Sequence, residues 1–133
     1  MVIDTRKRND AGLQKRVIAA CHSRHNVPDI KGPQEVKWIW ADTYDHSFQE
    51  QINNYQDKTL TDRRYLLTCN HCENPPCVRG CPTKATFKRD DGIAVMDYHR
   101  CIGCRFCMAG CPFGARSLNF YDPQEYVART NTE

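Results

Sequence analysis

The chain has 133 residues, of which 40% are hydrophobic and 26% charged, and its mean hydropathy is −0.72. This size and polarity allow one domain, or one domain with an extension, around a small core. The formal net charge is +3, but the basic runs at Arg6–Arg8 and Lys15–Arg16 are too short to indicate nucleic-acid binding. No apolar run is long enough to span a membrane, and the sequence shows no signal peptide, which leaves the compartment open.

The N-terminal part of the sequence predicts few regular elements. Residues 1–4 (MVID) indicate a short strand, and a helical spacing of apolar residues predicts one helix from about Ala11 to His22. Prolines and a glycine between residues 25 and 35 predict a loop. Residues 35–40 (EVKWIW) then predict a strand with both tryptophans on one face.

The next segment leads to the first cysteine of a dense cysteine region. Residues 41–64 are polar with scattered aromatic side chains, and we assign no regular element to them. Residues 64–68 (RYLLT) contain an apolar run, which predicts a strand or an extended segment directly before Cys69.

Two runs of four cysteines dominate the chain from Cys69 to Pro112. The first run has the spacing C-x2-C-x4-C-x3-C-P, and the second has C-x2-C-x2-C-x3-C-P. The second spacing is typical of bacterial ferredoxins, which bind [4Fe–4S] clusters. We therefore predict that the two runs bind two [4Fe–4S] clusters. The first run is Cys69, Cys72, Cys77 and Cys81, and the second is Cys101, Cys104, Cys107 and Cys111.

The geometry of a cubane cluster predicts that the two runs exchange their fourth cysteines. Three closely spaced cysteines can curl one loop around a cluster, whereas the fourth lies a helical turn further on and reaches the other cluster. This exchange ties the two halves together, so the metal contributes much of the folding free energy. The predicted ligands of one cluster are Cys69, Cys72, Cys77 and Cys111. The predicted ligands of the other are Cys101, Cys104, Cys107 and Cys81.

Prolines and glycines support this interpretation. Pro82 and Pro112 are predicted to end short helical turns, because proline lacks the N–H that a longer helix needs. Gly80, Gly103 and Gly110 are predicted to let the backbone approach the cluster sulfides.

Other uses of these cysteines fit the spacing less well. Zinc sites also contain Cys-x2-Cys pairs, but they usually combine two pairs rather than two runs of four that end in Cys-Pro. A disulfide framework fits poorly with an odd count of nine cysteines. Two oxidised clusters of about −2 each would more than offset the formal charge of +3, so the apparent basicity does not indicate a nucleic-acid partner.

The segment between the cysteine runs completes the predicted fold. Residues 86–89 and 93–96 flank the turn sequence Asp90-Asp91-Gly92 and predict a β-hairpin. Residues 115–120 (ARSLNF) predict a returning strand, and residues 122–133 a loose tail. The fold class is therefore α+β, a ferredoxin-like 2[4Fe–4S] fold with a pseudo-two-fold repeat. The predicted organisation is an N-terminal extension (1–64), a two-cluster ferredoxin-type domain (65–121) and the tail.

The segment from Cys69 to Phe120 also resembles a known family. Together with ACHSRHNVPDI and EVKWIW upstream, it is similar to the DsrO-like, ferredoxin-type iron–sulfur subunits of membrane-bound redox complexes, which have relatives among molybdopterin oxidoreductases. The resemblance covers nearly the whole chain and implies electron transfer linked to dissimilatory sulfur metabolism. It implies two kinds of partner, a quinone-reactive membrane subunit and a cytochrome or catalytic subunit. It also implies the periplasmic side of a membrane, although a cytoplasmic location stays open.

The chain departs from the family pattern at its first cysteine group. Family members usually carry four cysteine groups, and the first group pairs with the fourth. Here the first group retains only Cys21, and the chain stops before a fourth group. We therefore expect two clusters rather than four, in an apparently truncated relative.

These observations predict an electron-transfer subunit of an oxidoreductase rather than a catalyst acting alone. The sequence offers no nucleophile paired with a base and no nucleotide-binding loop. The alternatives are a free-standing ferredoxin, a zinc-stabilised interaction module, and a non-functional remnant of a four-cluster subunit.

Some side chains outside the cysteine runs have two interpretations. Cys21 is more typical of a small buried hydrophobe than of a ligand. His22 and His25 are expected to lie on the surface or to form hydrogen bonds rather than to bind metal. Trp38 and Trp40 are expected to pack in the core rather than to carry electrons. Six basic residues surround the cluster segment, and two interpretations stay open: they balance cluster charge or dock a partner, or they form a solvated face. They are Lys84, Lys88, Arg89, Arg100, Arg105 and Arg116.

Overall fold

The structure is a computed structural model that describes residues 10–122 and residue 125. The predicted strand at residues 1–4, the basic run at Arg6–Arg8 and nearly all of the predicted tail lie outside these residues. The described part is a mixture of short helices and two small antiparallel sheets. None of its helices has the length and apolar character needed to cross a membrane.

The described elements follow one another in a fixed order along the chain. They are α1 (Ala11–Arg24), β1 (Trp40–Asp42), α2 (Tyr44–Ser47), a 3-10 turn (Gln49–Gln51), α3 (Lys58–Thr61), β2 (Tyr65–Leu67), α4 (Pro76–Arg79), β3 (Thr86–Lys88), β4 (Ala94–Met96) and α5 (Phe106–Gly110).

The chain forms two compact units. The first comprises the described part of Met1–Thr68 and Asn119–Glu133, and the second comprises Cys69–Leu118. All eight cysteines of the two runs lie in the second unit, whereas Cys21 lies in the first. The division into 1–64, 65–121 and 122–133 stays a prediction of domain organisation.

Helix α1 begins and ends at capping groups. The Asp10 carboxylate accepts hydrogen bonds from two backbone N–H groups of the first turn, at 2.8 and 3.3 Å. At the other end, the N–H of His25 donates to the carbonyl of Cys21 at 3.1 Å. The predicted helix is confirmed and extends to Arg24, slightly beyond the predicted end.

Polar side chains fasten α1 to the rest of the first unit. Gln14 is only 5% exposed, and its Nε2 donates to the carbonyl of Arg64 at 2.9 Å. The His22 ring nitrogen Nε2 lies 3.1 Å from the carbonyl oxygen of Ile39, so His22 has the predicted hydrogen-bonding role. Cys21 is partly buried on the same helix.

Strands β1 and β2 carry the small core of the first unit. They pair antiparallel, with Trp40 opposite Leu67. Trp40 and Tyr65 are both buried. The Tyr65 ring makes edge contacts with the rings of Tyr44 and Phe48, with centroids 5.9 and 5.2 Å apart. The predicted strand before Cys69 is therefore confirmed as β2.

Two predictions for the first unit are wrong. The strand predicted over residues 35–40 begins only at Trp40, because β2 has three residues and pairs no further back. Trp38 is consequently 50% exposed and stacks on His25, with 4.4 Å between ring centroids, instead of packing in the core. Residues 41–64, to which the sequence assigned no regular element, contain the end of β1, the short helices α2 and α3 and the 3-10 turn.

In the second unit, β3 and β4 form the predicted hairpin. Thr86 pairs with Met96, and Lys88 pairs with Ala94. Gly92 in the turn has φ +88°, a conformation that glycine adopts without steric cost. Thr86 is 1% exposed, so the start of β3 lies in the core of this unit.

The returning strand predicted over residues 115–120 is absent from the described structure. Both described sheets are two-stranded, and neither of them includes this segment. The strand that follows the first cysteine run therefore has no counterpart after the second.

Candidate iron–sulfur centre

The first cysteine run lies on a loop followed by one helical turn. Between Cys69 and Cys72, His71 has a left-handed backbone with φ +45°. Its Nδ1 accepts a hydrogen bond from the N–H of Ala94 at 3.0 Å, which fastens the loop to β4. Cys77 follows in α4, which has a proline in its first turn, and is buried with 8% of its surface exposed.

The second run repeats this layout with different residues. Gly103 takes the place of His71 and has φ +69°. Its N–H lies 3.4 Å from Sγ of Cys101 and points a donor at the sulfur. Arg105, with φ +62°, precedes α5, and Cys107 lies in that helix as Cys77 lies in α4.

The backbone after each Cys-Pro pair also corresponds. Helices α4 and α5 end just before the pairs. The N–H of Thr86 donates to Sγ of Cys81 at 3.4 Å, and the N–H of Ala115 donates to Sγ of Cys111 at the same distance. The residue three positions after each of these cysteines has a positive φ, +55° in one half and +62° in the other. Each half thus aims a backbone donor at its fourth sulfur.

Helices α4 and α5 pack against each other at a glycine. A Cβ on Gly80 would lie 2.5 Å from Cδ1 of Phe106, whereas a Cβ on Gly110 would have its nearest contact at 3.8 Å, to Pro76. Gly80 has an ordinary φ of −81°, so this position requires space rather than a special conformation. The predicted approach of backbone to sulfur therefore applies to Gly103, whereas Gly80 makes room for a ring.

One cavity in the second unit brings four cysteines together. Its walls include Cys69, Cys72 and Cys77 of the first run and Cys111 of the second. Arg116 lines the same cavity, and its Nη2 lies 3.6 Å from Sγ of Cys77. Four thiols around one cavity form the donor set that a [4Fe–4S] cluster uses.

The other four predicted ligands differ in exposure. Cys101 and Cys104 are exposed to solvent, and Cys81 and Cys107 are partly buried. Burial raises the pKa of the Cys107 thiol, and the thiolates of Cys77 and Cys101 act in the same direction. The structure therefore places Cys107 within electrostatic range of both cysteine runs.

Cys81 lies among hydrogen-bond donors. The hydrogen bond from the backbone N–H of Thr86 has the largest effect on the pKa of the Cys81 thiol, and the Thr83 hydroxyl, 3.7 Å from the sulfur, acts in the same direction. Together they lower the pKa of the Cys81 thiol to about 7. A lowered pKa favours the thiolate, which is the form that ligates iron.

The chemistry of these donors fits iron–sulfur clusters. Clusters of this kind are held by thiolates and tuned by hydrogen bonds to sulfur, and both features occur here. The Thr86 hydroxyl is also buried without a hydrogen-bond partner, although buried hydroxyls are normally paired. A cluster sulfide near Cys81 would supply the missing acceptor. In residues 10–122 no three His, Cys, Asp or Glu side chains gather closely enough to bind a single metal ion.

The basic residues near the cysteines have different neighbours. Arg89 and Arg100 form ion pairs with nearby aspartates, at 2.8 and 3.2 Å. Lys88 donates to the backbone carbonyl of Glu73 at 2.9 Å. Arg116 instead contacts a thiol, which is the arrangement expected of a residue that balances cluster charge.

Three features of the site escaped the sequence analysis. These are the bond from Ala94 to His71, the buried Thr86 hydroxyl and the contact between Arg116 and Cys77. Aligning the two halves beyond their cysteines would have drawn attention to all three positions. His71 then falls opposite a glycine, and Thr86 falls opposite Arg116.

Comparison with known families agrees with this geometry. Residues 65–125 match the family model described as "4Fe-4S dicluster domain". The chain therefore carries a ferredoxin-like domain of the class that binds iron–sulfur clusters.

Curated relatives extend the similarity beyond this domain. The chain is 41% identical over 128 residues to "Hdr-like menaquinol oxidoreductase iron-sulfur subunit 1" of Archaeoglobus fulgidus. The aligned region covers 94% of this chain and 44% of that relative. It is 57% identical over 104 residues to a Halobacterium salinarum protein named as an iron–sulfur subunit of a dimethyl sulfoxide reductase, covering 78% and 40%. It is 45% identical over 78 residues to a tetrathionate reductase subunit of Salmonella typhimurium, covering 55% and 31%.

The predicted resemblance to iron–sulfur subunits of oxidoreductases is therefore confirmed. The chain spans less than half the length of each of these three relatives.

Proposed function

We propose that this chain transfers electrons through two [4Fe–4S] clusters. The observation that carries the proposal is the cavity lined by Cys69, Cys72, Cys77 and Cys111, which matches one complete predicted ligand set. The second cluster is assigned to Cys101, Cys104, Cys107 and Cys81. When bound, such clusters supply one-electron chemistry, and the protein sets their potentials through burial, charge and hydrogen bonds to sulfur.

The exchange of the fourth cysteines is part of this proposal. The cavity combines three cysteines of the first run with Cys111 of the second, as exchange requires. Packing between α4 and α5, through Gly80 and Phe106, holds the two runs side by side. Without that packing, Cys111 would not lie near Cys77.

The pseudo-two-fold repeat is likewise a proposal. It is supported by a backbone N–H that donates to the sulfur of Cys81 and another that donates to the sulfur of Cys111. Positive φ angles at corresponding positions of each half also support it. The repeat is local to the cysteine runs, because the hairpin β3–β4 follows only the first run in the described structure.

The side chains around the sulfurs prepare them for this role. The donors around Cys81 favour its thiolate, since they lower its pKa to about 7. Arg116 supplies a positive charge beside Cys77, and the buried Thr86 hydroxyl offers a donor with no other partner. These groups thus stabilise the negatively charged sulfur atoms that ligate iron.

We further propose that the chain serves as the iron–sulfur subunit of a membrane-associated oxidoreductase complex linked to dissimilatory sulfur metabolism. The names of the relatives support this proposal, since they include a menaquinol oxidoreductase and reductases of dimethyl sulfoxide and tetrathionate. Its partners would be a quinone-reactive membrane subunit and a cytochrome or catalytic subunit. The periplasmic side of the membrane is the proposed location.

The first experiment is to count iron, zinc and acid-labile sulfide per chain in protein purified without oxygen. Two cubane clusters predict about eight irons and about eight sulfides per chain. About four of each would mean that one ligand set is defective, and the two-cluster proposal would be wrong. Zinc without sulfide would overturn the electron-transfer proposal and favour a zinc-stabilised interaction module.

A further inference from the structure

Arg116 is the basic side chain that the structure places at the first cluster site. Its Nη2 lies 3.6 Å from Sγ of Cys77, and the residue lines the cavity that also carries Cys69, Cys72 and Cys111. Arg116 is partly buried, whereas Cys77 is buried. The contact joins residues 39 positions apart, so it depends on the folded unit rather than on local sequence.

The guanidinium carries its charge permanently. Arginine stays protonated in proteins. Arg116 lies within electrostatic range of Cys77 and Cys69 of the first predicted ligand set and of Cys107 of the second, but its direct contact is with Cys77. A positive charge beside sulfur stabilises negative charge there, and the effect is stronger where solvent is partly excluded. Reduction adds one electron, and therefore one negative charge, to a cluster.

The corresponding position in the other half carries no charge. Arg116 and Thr86 each lie five residues after a fourth cysteine. The N–H of Thr86 donates to Sγ of Cys81, which we assign to the second cluster. Arg89 and Arg100, which lie in the same unit, form ion pairs with aspartates. At this position, therefore, only the half that carries Arg116 has a charged side chain in contact with a predicted ligand.

We propose that Arg116 raises the reduction potential of the cluster bound by Cys69, Cys72, Cys77 and Cys111 more than that of the other cluster. The inference rests on the proposed function, because it requires both clusters. An electron from an external reductant such as dithionite enters the cluster, no covalent bond breaks, and Arg116 keeps its proton. Arg116 therefore acts through its positive charge, which makes the first cluster easier to reduce.

The test is a potentiometric titration followed by electron paramagnetic resonance, with dithionite as reductant. Arg116→Gln removes the charge and keeps a hydrogen-bond donor of moderate length. We expect one of the two midpoint potentials to fall, with about a tenfold loss in the one-electron reduction constant, or about 59 mV. The other potential should move by less than half as much. Arg116→Lys, which keeps the charge, should give a smaller shift of the same potential.

Arg89→Gln is the matched control. It removes one positive charge from the same unit at an exposed ion pair with Asp91. We expect it to leave both potentials nearly unchanged. Equal shifts in Arg89→Gln and Arg116→Gln would overturn the proposal, because the effect would then reflect net charge alone.

The outcomes separate this inference from the proposed function. If the unaltered protein lacks two clusters, the proposed function fails before Arg116 is tested. If both clusters form and Arg116→Gln shifts neither potential, or shifts both equally, the inference about Arg116 is wrong. If Arg116→Gln does not assemble its clusters, a second neutral variant, Arg116→Met, decides, and an unchanged pair of potentials in Arg116→Met would overturn the inference.

Discussion

At the scale of single residues, Thr86 beside Cys81 has a buried polar group without a hydrogen-bond partner. Its backbone N–H donates to Sγ of Cys81, but its hydroxyl is buried and unpaired in the described structure. An unsatisfied buried hydroxyl costs about 1–3 kcal/mol, which is a large share of the stability of a small domain. A sulfur acceptor on the bound cluster would remove this cost.

Replacing Thr86 with valine tests this role. Valine keeps the branched shape but removes the hydroxyl donor, and fewer hydrogen bonds to sulfur lower a cluster's potential. We expect Thr86→Val to lower the midpoint potential of the cluster assigned to Cys81. This is the potential that Arg116→Gln should shift less. Potentiometric titration of both variants measures this.

Thr61→Val is the matched control, because the Thr61 hydroxyl donates to the Lys58 carbonyl at 3.2 Å in the other unit. It should leave both potentials as they are. A Thr86→Val protein with unchanged potentials would show that the hydroxyl has no partner on a cluster.

At the scale of elements, the contact between α4 and α5 controls the site. Both helices are very short, with four and five residues, and neither would form alone in water. Their closest approach is at Gly80, where no side chain separates the backbone of α4 from the ring of Phe106. Each helix carries one cysteine that is a predicted ligand, so this contact sets the distance between the two runs.

Gly80→Ala should therefore weaken cluster binding. The new Cβ would lie 2.5 Å from Phe106, and overpacking of this kind costs about 1–3 kcal/mol. We expect less iron and sulfide per chain and a lower temperature for the loss of visible cluster absorbance. Adding Phe106→Ala to the same protein should restore much of the loss.

Gly110→Ala provides the comparison from the other half of the domain. Its new Cβ would meet its nearest neighbour at an ordinary 3.8 Å. This variant should keep its clusters. If both alanine variants lose clusters equally, space at Gly80 is not the reason.

The elements also show where local sequence is sufficient to predict secondary structure. The hairpin β3–β4 was predictable because its turn residues and flanking strands are neighbours in the chain. Helix α1 was predictable from its periodicity, and Asp10 caps it. The strands predicted over residues 35–40 and 115–120 were wrong because a strand depends on which distant segment pairs with it: only Trp40 of the first segment joins a described sheet, and the second segment joins neither sheet.

At the scale of the whole cluster domain, exchange of the fourth cysteines is the property with the clearest consequence. Cys111 lies in the cavity with the first run, far along the chain from Cys69. If Cys81 makes the reciprocal exchange, loss of either fourth cysteine damages the cluster of the opposite run.

Serine variants of the two fourth cysteines test the exchange. Cys81→Ser should lose the cluster bound by Cys101, Cys104 and Cys107, and the cluster that remains should still respond to Arg116→Gln. Cys111→Ser should lose the cluster in the cavity with Arg116. The potential of the cluster that remains should therefore respond much less to Arg116→Gln. Iron and sulfide analysis followed by potentiometric titration of the double variants measures both effects. The reverse pattern would show that each run binds its own cluster.

The sequence by itself determined the cofactor class and the eight candidate ligands, because the spacing within each cysteine run acts over a few residues. It also determined the hairpin and α1, which depend on local turns, caps and periodicity. Tertiary structure decided the position of Arg116 beside Cys77, the burial of the Thr86 hydroxyl and the exposure of Trp38. These features depend on which distant segments pack together, and no local pattern specifies that packing.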